Sequence, residues 1–348
     1  MEEFGYILAE YGFEPEEIRP GGGTAGGSWR VRGAGGDYFL RRRGPRTSTP
    51  ERIRFDHGLR RHLAEKGLPV FPPLEARGGR SWVPGEDGVY EVYPWIQGTP
   101  LDPARREREG RNAALALARL HRASLDYSGR CEPILPQFGH YPVEIPARER
   151  FDHPEALLAA VEFVAEAYGV LSRRQELAHA RDRVRRLRDE YLEICERLPV
   201  GVIHGDYNAC NLLFSGEGEV AGIFDFDWAW RDSRVRDVAT GLFFFGGRRD
   251  GRIDGGDIWS LTACPHLELE SLAAVAAAYH GEYPLSGDEI EALPVAMLGA
   301  WVAWRTEGVM KAPEEDRARF LLASFDVPFR WVEENRERWS QAVTRLAK

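Results

Sequence analysis

A chain of 348 residues with 46 basic and 55 acidic side chains carries a formal net charge of −9, and its cations are lopsided: three lysines (Lys66, Lys311 and Lys348) against 43 arginines. At about 100–200 residues per domain this length suggests two domains or lobes; a hydrophobic share of 43% excludes disorder, and the acidic balance argues against a nucleic-acid partner. No lysine follows a glycine, which excludes Walker-type nucleotidases, and Schiff-base chemistry would have only these three positions to use.

Along the chain, Phe4, Ile7, Leu8 and Tyr11 give a short helix stopped by Gly12 and Pro15. The glycine run 21–27 precedes two strand-like pieces, Ser28 to Arg32 and Tyr38 to Arg42, joined by the turn 33–36. Thr49 and Pro50 form a cap and first position for a helix bearing Phe55, Leu59 and Leu63. Strands near Arg80–Val83 and Val89–Tyr93 then lead to Pro94-Trp95-Ile96-Gln97-Gly98, a connection between lobes. Beyond it the chain is mostly helical. One helix starts near Arg106, 127–154 reads as a long surface loop, and Leu177 to Leu198 form a strongly amphipathic helix. A compact β segment spans 200–226, and helices follow to the end.

The acidic start, Met1-Glu2-Glu3-Phe4, has no apolar core of a secretory signal. The apolar stretch Leu293 to Trp304 is broken by Pro294 and too short for a bilayer. Cys131, Cys195, Cys210 and Cys264 are scattered, as reduced thiols are. The expectation is a cytoplasmic protein without a membrane partner.

Gly21-x-Gly23-x-x-Gly26 matches the dinucleotide fingerprint, but a hairpin follows it where that fold needs a helix. A glycine loop closing a β-hairpin is the arrangement that covers ATP phosphates in kinase-like enzymes. The richest segment is 202–227. Leu212–Phe214 and Ala221–Phe224 are apolar strands separated by a turn signal, and a hairpin centred near Gly218 sets Asn211 opposite Asp225. An amide oxygen and a carboxylate suit Mg²⁺, which takes one or two protein oxygens and leaves the rest to water and phosphate. Asp206, on the loop entering the hairpin, would then orient or deprotonate an attacking hydroxyl.

His204-Gly205-Asp206-x-x-x-x-Asn211 and Asp225-Phe226-Asp227 resemble the signature of the aminoglycoside phosphotransferases, choline kinases and homoserine kinases of protein-kinase-like type. Further pieces follow in the family's order over about residues 15 to 245: Gly22-Gly23, Tyr38-Phe39-Leu40-Arg41, Trp95-Ile96-Gln97-Gly98 and Asp237. The resemblance implies a bilobal α+β fold with a β-rich small lobe over 1–93, a hinge at 94–98 and a helical lobe over 99–348. It also implies ATP and Mg²⁺ as cofactors and a small-molecule hydroxyl as acceptor. Carried over position by position, Asp206 resembles the catalytic base, His204 looks like the residue bracing its loop, and Asn211 and Asp225 resemble the magnesium ligands. Gly22 and Gly23 cover phosphate, and the hinge from Tyr93 through Trp95 to Ile96 meets adenine, with Ile96 the donor because Pro94 has no N–H. Asp227 is either an acid near the metal or a loop anchor, and Asp237 reads as structural.

The family's lysine–glutamate pair is replaced. Arg41 and Asp56 stand at the matching positions and are expected to pair, the longer side chain making up for the shorter. Three other readings remain. Asp225-x-Asp227 also resembles the haloacid-dehalogenase phosphatase motif, although Ala229 stands where that motif wants Thr or Val. A nucleotide-binding relative without turnover and a protein Ser/Thr kinase are the others, and the short segment Trp228–Asp237 speaks against the last. For the acceptor, Trp259, Trp301, Trp304, Trp331 and Trp339 with Asp254, Asp257, Glu307 and Glu333 would suit a cation, whereas Arg305 would suit a carboxylate.

Overall fold

The computed structural model describes residues 2–21, 27–131, 166, 173–195 and 197–347. Gly22, Gly23 and the expected loop from residue 132 onward lie outside them.

The N-terminal region is a five-stranded antiparallel sheet in the order β1-β2-β3-β5-β4. Its strands are β1 (Pro15–Pro20), β2 (Ser28–Gly33), β3 (Gly36–Arg42), β4 (Val83–Gly85) and β5 (Gly88–Pro94). Helix α1 (Glu2–Glu10) ends at Gly12, whose φ of 81° suits a residue without Cβ, and packs Phe4, Ile7 and Leu8 against Val31, Leu40, Tyr90 and Val92 of the sheet. Strand β1 escaped the sequence reading because Pro-Glu-Glu-Ile-Arg-Pro lacks apolar alternation; it is an edge strand whose prolines sit at its ends. Strand β4 starts at Val83, where the expected strand stops, and pairs only with β5. The strands on either side of the glycine run pair directly, with Pro20 opposite Trp29. Helix α2 (Pro50–Glu65) begins as its sequence dictates: the Thr49 side chain accepts from the Arg52 N–H, with Pro50 at the first position.

The C-terminal region is helical, with α3 (Arg106–Ala123), α4 (Arg174–Cys195), α5 (Val235–Gly241), α6 (Ile258–Leu261), α7 (Leu269–Glu282), α8 (Gly287–Gly308), α9 (Arg317–Leu322) and α10 (Val327–Leu346) around one large apolar core. Ser286 and Glu289 close a reciprocal capping box at the start of α8, which carries the apolar stretch through Pro294 into that core. Among the described residues no helix is long and apolar enough to cross a membrane.

Two small antiparallel pairs are set into this helical body: β6 (Val200–Ile203) with β9 (Trp230–Ser233), and β7 (Leu212–Phe214) with β8 (Val220–Ile223). The β7–β8 hairpin is wedged between flanking segments. Thr99 and Phe214 exchange backbone hydrogen bonds of 2.9 and 2.8 Å, and Ile223 donates to Pro69 O at 2.8 Å. The chain leaving residues 94–98 is thereby docked on the hairpin that carries Asn211.

Candidate active site

The loop after β6 is held from beneath. Asp237, in the first turn of α5, accepts from the backbone N–H of His204 at 2.6 Å and of Gly205 at 2.9 Å. His121 Nε2 donates to the same carboxylate at 3.0 Å, and these donors keep it ionised below the usual carboxylate range against the opposing effect of burial. Asp237 is thus a structural clamp. His204 is buried, and burial lowers its pKa. Its Nε2 donates to Phe224 O at 2.8 Å, which fixes the tautomer, so Nδ1 accepts from the Asp206 N–H at 3.3 Å. Gly205 has φ 80°, and a Cβ there would lie 2.1 Å from Trp228 O.

Asp206 leaves this loop half-buried. Asn208 Nδ2 donates to its Oδ1 at 2.8 Å, and Asn211 Nδ2 to its Oδ2 at 2.9 Å. Asn211 also reaches Asp206 O at 2.9 Å, so both its donor bonds are spent on Asp206 and Oδ1 is the atom left for a cation. Burial, and then the charge of Asp225, push the Asp206 carboxyl up to about 7.

The hairpin register differs from the expected one by two residues at the turn and by one at the end that carries the site. Leu212 faces Ile223 and Leu213 faces Gly222, but Phe214 faces Val220, so Ala221 is the extra residue of a bulge. Asn211 therefore lies opposite Phe224, whose N–H donates to Asn211 O at 2.9 Å, and not opposite Asp225. Asp225 is brought to the site by its own backbone instead. Its φ of 57° turns the chain off the strand into a short 3-10 turn, with Phe226 buried against the His204 ring at 4.5 Å. Asp225 Oδ1 is buried without a hydrogen bond and lies 3.3 Å from Arg41 Nη2. Burial alone would raise this carboxyl, but the Arg41 and Arg60 charges outweigh it and hold it low.

Arg41 does not pair with Asp56. It reaches across to the helical body, pairing with Asp227 and facing Asp225. Asp56 is held by Arg43 at 2.7 Å and by Arg60, one helical turn further along α2, at 2.6 Å. The expected pair thus exists two residues later: Arg41 and Arg43 share one face of an extended chain, and Arg43, nearer α2, meets its carboxylate. Arg43 is fully buried. It also pairs with Glu91 at 2.8 Å and Asp227 at 2.9 Å and donates through Nε to Thr47 O at 3.0 Å. Asp227, with Thr47 Oγ1 donating to it at 2.8 Å, anchors this cluster. Arg43, Glu91, Thr47 and Asn208 were missed by the sequence reading. Only the period-two spacing of Arg41 and Arg43 could have signalled any of them.

Of the hinge residues, Tyr93 turns its hydroxyl to Glu91 Oε2 at 2.9 Å and is buried under Arg60. The Trp95 N–H is spent on Asp37 O at 3.2 Å, and its ring lies beneath Arg30. The Ile96 N–H has no acceptor among the described residues. On the acceptor side, Trp301 and Trp339 are core residues, and Arg305 is buried between Trp301 and Phe320, donating to Thr262 O at 3.1 Å. Arg305 is therefore closed to a substrate carboxylate. Glu333 pairs with Arg183, and Asp257 caps α6; Glu307 is the acidic residue of that set whose neighbour Lys311 also acts on Asp206.

Among the described residues no three His, Cys, Asp or Glu side chains form a metal cluster. The donor set here is instead one amide oxygen and one carboxylate oxygen, Asn211 Oδ1 and the hydrogen-bond-free Asp225 Oδ1, which fits Mg²⁺ completed by phosphate and water.

A family model described as "Phosphotransferase enzyme family" matches residues 17–288. A homoserine kinase of Beijerinckia indica subsp. indica is 28% identical over 246 residues, covering 70% of this chain and 64% of that kinase. The match thus spans somewhat less than two thirds of that relative. An aminoglycoside phosphotransferase from Alicyclobacillus acidocaldarius subsp. acidocaldarius superposes with a TM-score of 0.65 at 17% identity, over 97% of this chain and 96% of that one. A microcompartment-associated aminopropanol kinase gives 0.62 at 19% identity, over 98% of both. These likenesses establish the protein-kinase-like α+β fold.

Proposed function

Because the chain belongs to the phosphotransferase enzyme family, we propose that it transfers the γ-phosphate of ATP to a hydroxyl of a small molecule. The observation that carries this is the pairing of Asp206, half-buried with both oxygens positioned by Asn208 and Asn211, with the hydrogen-bond-free Asp225 Oδ1 beside Arg41. Asp206 takes up the acceptor's hydroxyl proton as the oxygen–phosphorus bond forms; the bond from that phosphorus to the β,γ-bridging oxygen breaks, and ADP leaves. Asn211 and Asp225 would hold Mg²⁺, which supplies charge neutralisation on the phosphates. Arg41 supplies the phosphate-facing cation, the Ile96 N–H a donor to adenine, and Gly22 and Gly23 belong to the loop over the phosphates. His204 and Asp237 act through the loop, fixing Asp206. The relatives bring three acceptor classes to the question: hydroxy amino acids, amino alcohols and aminoglycosides.

The test is ATP consumption with amino alcohols, hydroxy amino acids, sugars and aminoglycosides, with Asp206→Asn as control. Turnover of at least one acceptor that falls about a thousandfold or more in the variant is expected. A wild type as inactive as the variant on every acceptor refutes the proposal.

A further inference from the structure

Arg41 stands where two regions meet. It belongs to β3 of the five-stranded sheet, and its guanidinium ends between two carboxylates of the segment after β8, in the helical body. Its Nη2 serves both, donating to Asp227 Oδ2 and lying 3.3 Å from Asp225 Oδ1. The two contacts differ in kind. Asp227 is buried and has other partners, Arg43 at 2.9 Å and the Thr47 hydroxyl at 2.8 Å. Asp225 Oδ1 is buried without a hydrogen bond, and Arg41 is the only cation paired with it among the described residues. Without Arg41, Asp227 would remain paired and Asp225 would not. Across this seam three guanidiniums, of Arg41, Arg43 and Arg60, are paired with four carboxylates, of Asp56, Glu91, Asp225 and Asp227. At most one negative charge is left over, whichever state His57 takes beside Glu91, and a divalent cation brings twice that.

We propose that Arg41 is the resident counter-ion of Asp225 and closes this carboxylate to a bare divalent cation until nucleotide phosphates give the guanidinium another partner. The inference rests on the metal and phosphate roles proposed above for Asp225 and Arg41, and adds that the two places fill together. A cation at Asp225 Oδ1 would share one carboxylate oxygen with a guanidinium whose other partner is already taken up by Arg43. Like charges at contact distance repel strongly where water is partly excluded. Retreat of Arg41 onto Asp227 gives little relief, because one nitrogen makes both contacts and cannot leave the first without shifting on the second. Phosphate oxygens change the balance. They offer the guanidinium a planar, two-pronged anion in place of a carboxylate it only faces, and Asp225 is freed. The small-lobe cation thus does more than hold phosphate: it makes the cation site conditional on the nucleotide.

The experiment titrates the full chain, free of nucleotide, with Mn²⁺ alone, a paramagnetic ion that takes the same oxygen ligands as Mg²⁺, and follows the loss of its free-ion resonance signal. The wild type is expected to leave Mn²⁺ free up to about 1 mM, and Arg41→Met and Arg41→Gln to bind it about tenfold tighter or more. This is a gain of binding, and it should vanish when Asp225→Asn is added to either variant, which separates it from loose association with a damaged fold. With ADP present, the wild type should show a protein-bound Mn²⁺ spectrum distinct from that of Mn·ADP in buffer. If the wild type binds bare Mn²⁺ as tightly as both variants, or if the gain survives Asp225→Asn, the inference is overturned and phosphotransfer stands. If the ion stays off the wild type even with ADP, the metal assignment of Asp225 falls with it.

Discussion

Gly205→Ala is the substitution for which the structure gives the sharpest magnitude. Gly205 sits at φ 80°, and its added Cβ would meet Trp228 O at 2.1 Å, 0.9 Å short of the 3.0 Å that real Cβ contacts respect. The left-handed conformation alone costs an alanine about 1–2 kcal/mol. Neither side of the clash yields freely. The Gly205 N–H is tied to Asp237, and the residue after Trp228 is tied down by Arg52, whose Nη1 donates to Ala229 O at 2.5 Å. The strain therefore passes to the next residue in the loop, Asp206. Overpacking of this kind adds about 1–3 kcal/mol, so the fold should lose about 2–5 kcal/mol in all. A displacement of about 1 Å at a reacting group costs about a hundredfold in rate. Urea unfolding and steady-state kinetics with the acceptor found by the screen would measure both. Gly201→Ala, in the neighbouring strand β6, is the control: nothing lies within 4 Å of its Cβ, and its change should stay under about 0.5 kcal/mol. A Gly205→Ala protein with a kcat within threefold of wild type and an unmoved urea midpoint would refute the reasoning.

Two further outcomes follow from the arginine cluster. Arg43→Met, which removes the cation that Asp56, Glu91 and Asp227 share, should cost about 3–5 kcal/mol in urea unfolding, whereas Arg41→Met should act chiefly by raising the KM for ATP; equal stability losses and an unchanged KM would contradict the division of roles. Burial works against ionisation of Asp56 and Glu91, but Arg60 and Arg43 around the first, and Arg43 and His57 around the second, hold both carboxyls far below their ordinary values. On acidification the unfolded chain therefore takes up protons first, and the urea midpoint should fall steadily below about pH 4.5; a midpoint flat down to about pH 3 would show that the cluster does not contribute.

The catalytic hairpin was legible in sequence because its parts are neighbours in the chain. Two apolar strands, a glycine turn and the residues at their open end lie within 25 positions, and the pattern of types carries the geometry. Its register was misjudged because the turn is centred on Glu217 and not on Gly218, with Ser215 donating to Glu219 O and Phe214 facing Val220; the bulge at Ala221 recovers one of those two residues, and local spacing encodes neither. The Arg41–Asp56 expectation failed for a similar reason. Sequence shows that a strand cation must meet a helix anion, but which of Arg41 and Arg43 does so depends on the lean of α2 against the sheet. Strand β1 was invisible because backbone pairing along the sheet edge, and no apolar face of its own, makes it a strand. Arg305 illustrates the opposite failure: a cation among tryptophans looks like a binding group until its carbonyl acceptor and stacked rings place it in the core.

Arg43 has a consequence for how this sequence can drift. Its guanidinium serves four acceptors in different directions at once, on α2, on β5, on the segment after β8 and on the backbone at Thr47. An ammonium concentrates three donors on one atom and cannot span that fan, so lysine here would leave at least one buried carboxylate unmatched. Among the described arginines, those exposed at the surface, such as Arg54, Arg61 and Arg338, could exchange for lysine under a changed genomic base composition at little cost. This one could not, unless an acidic neighbour such as Asp56 or Glu91 was neutralised first. The arginine-rich composition is thus freely negotiable at such surface positions and locked at the seam where strand, helix and catalytic segment meet.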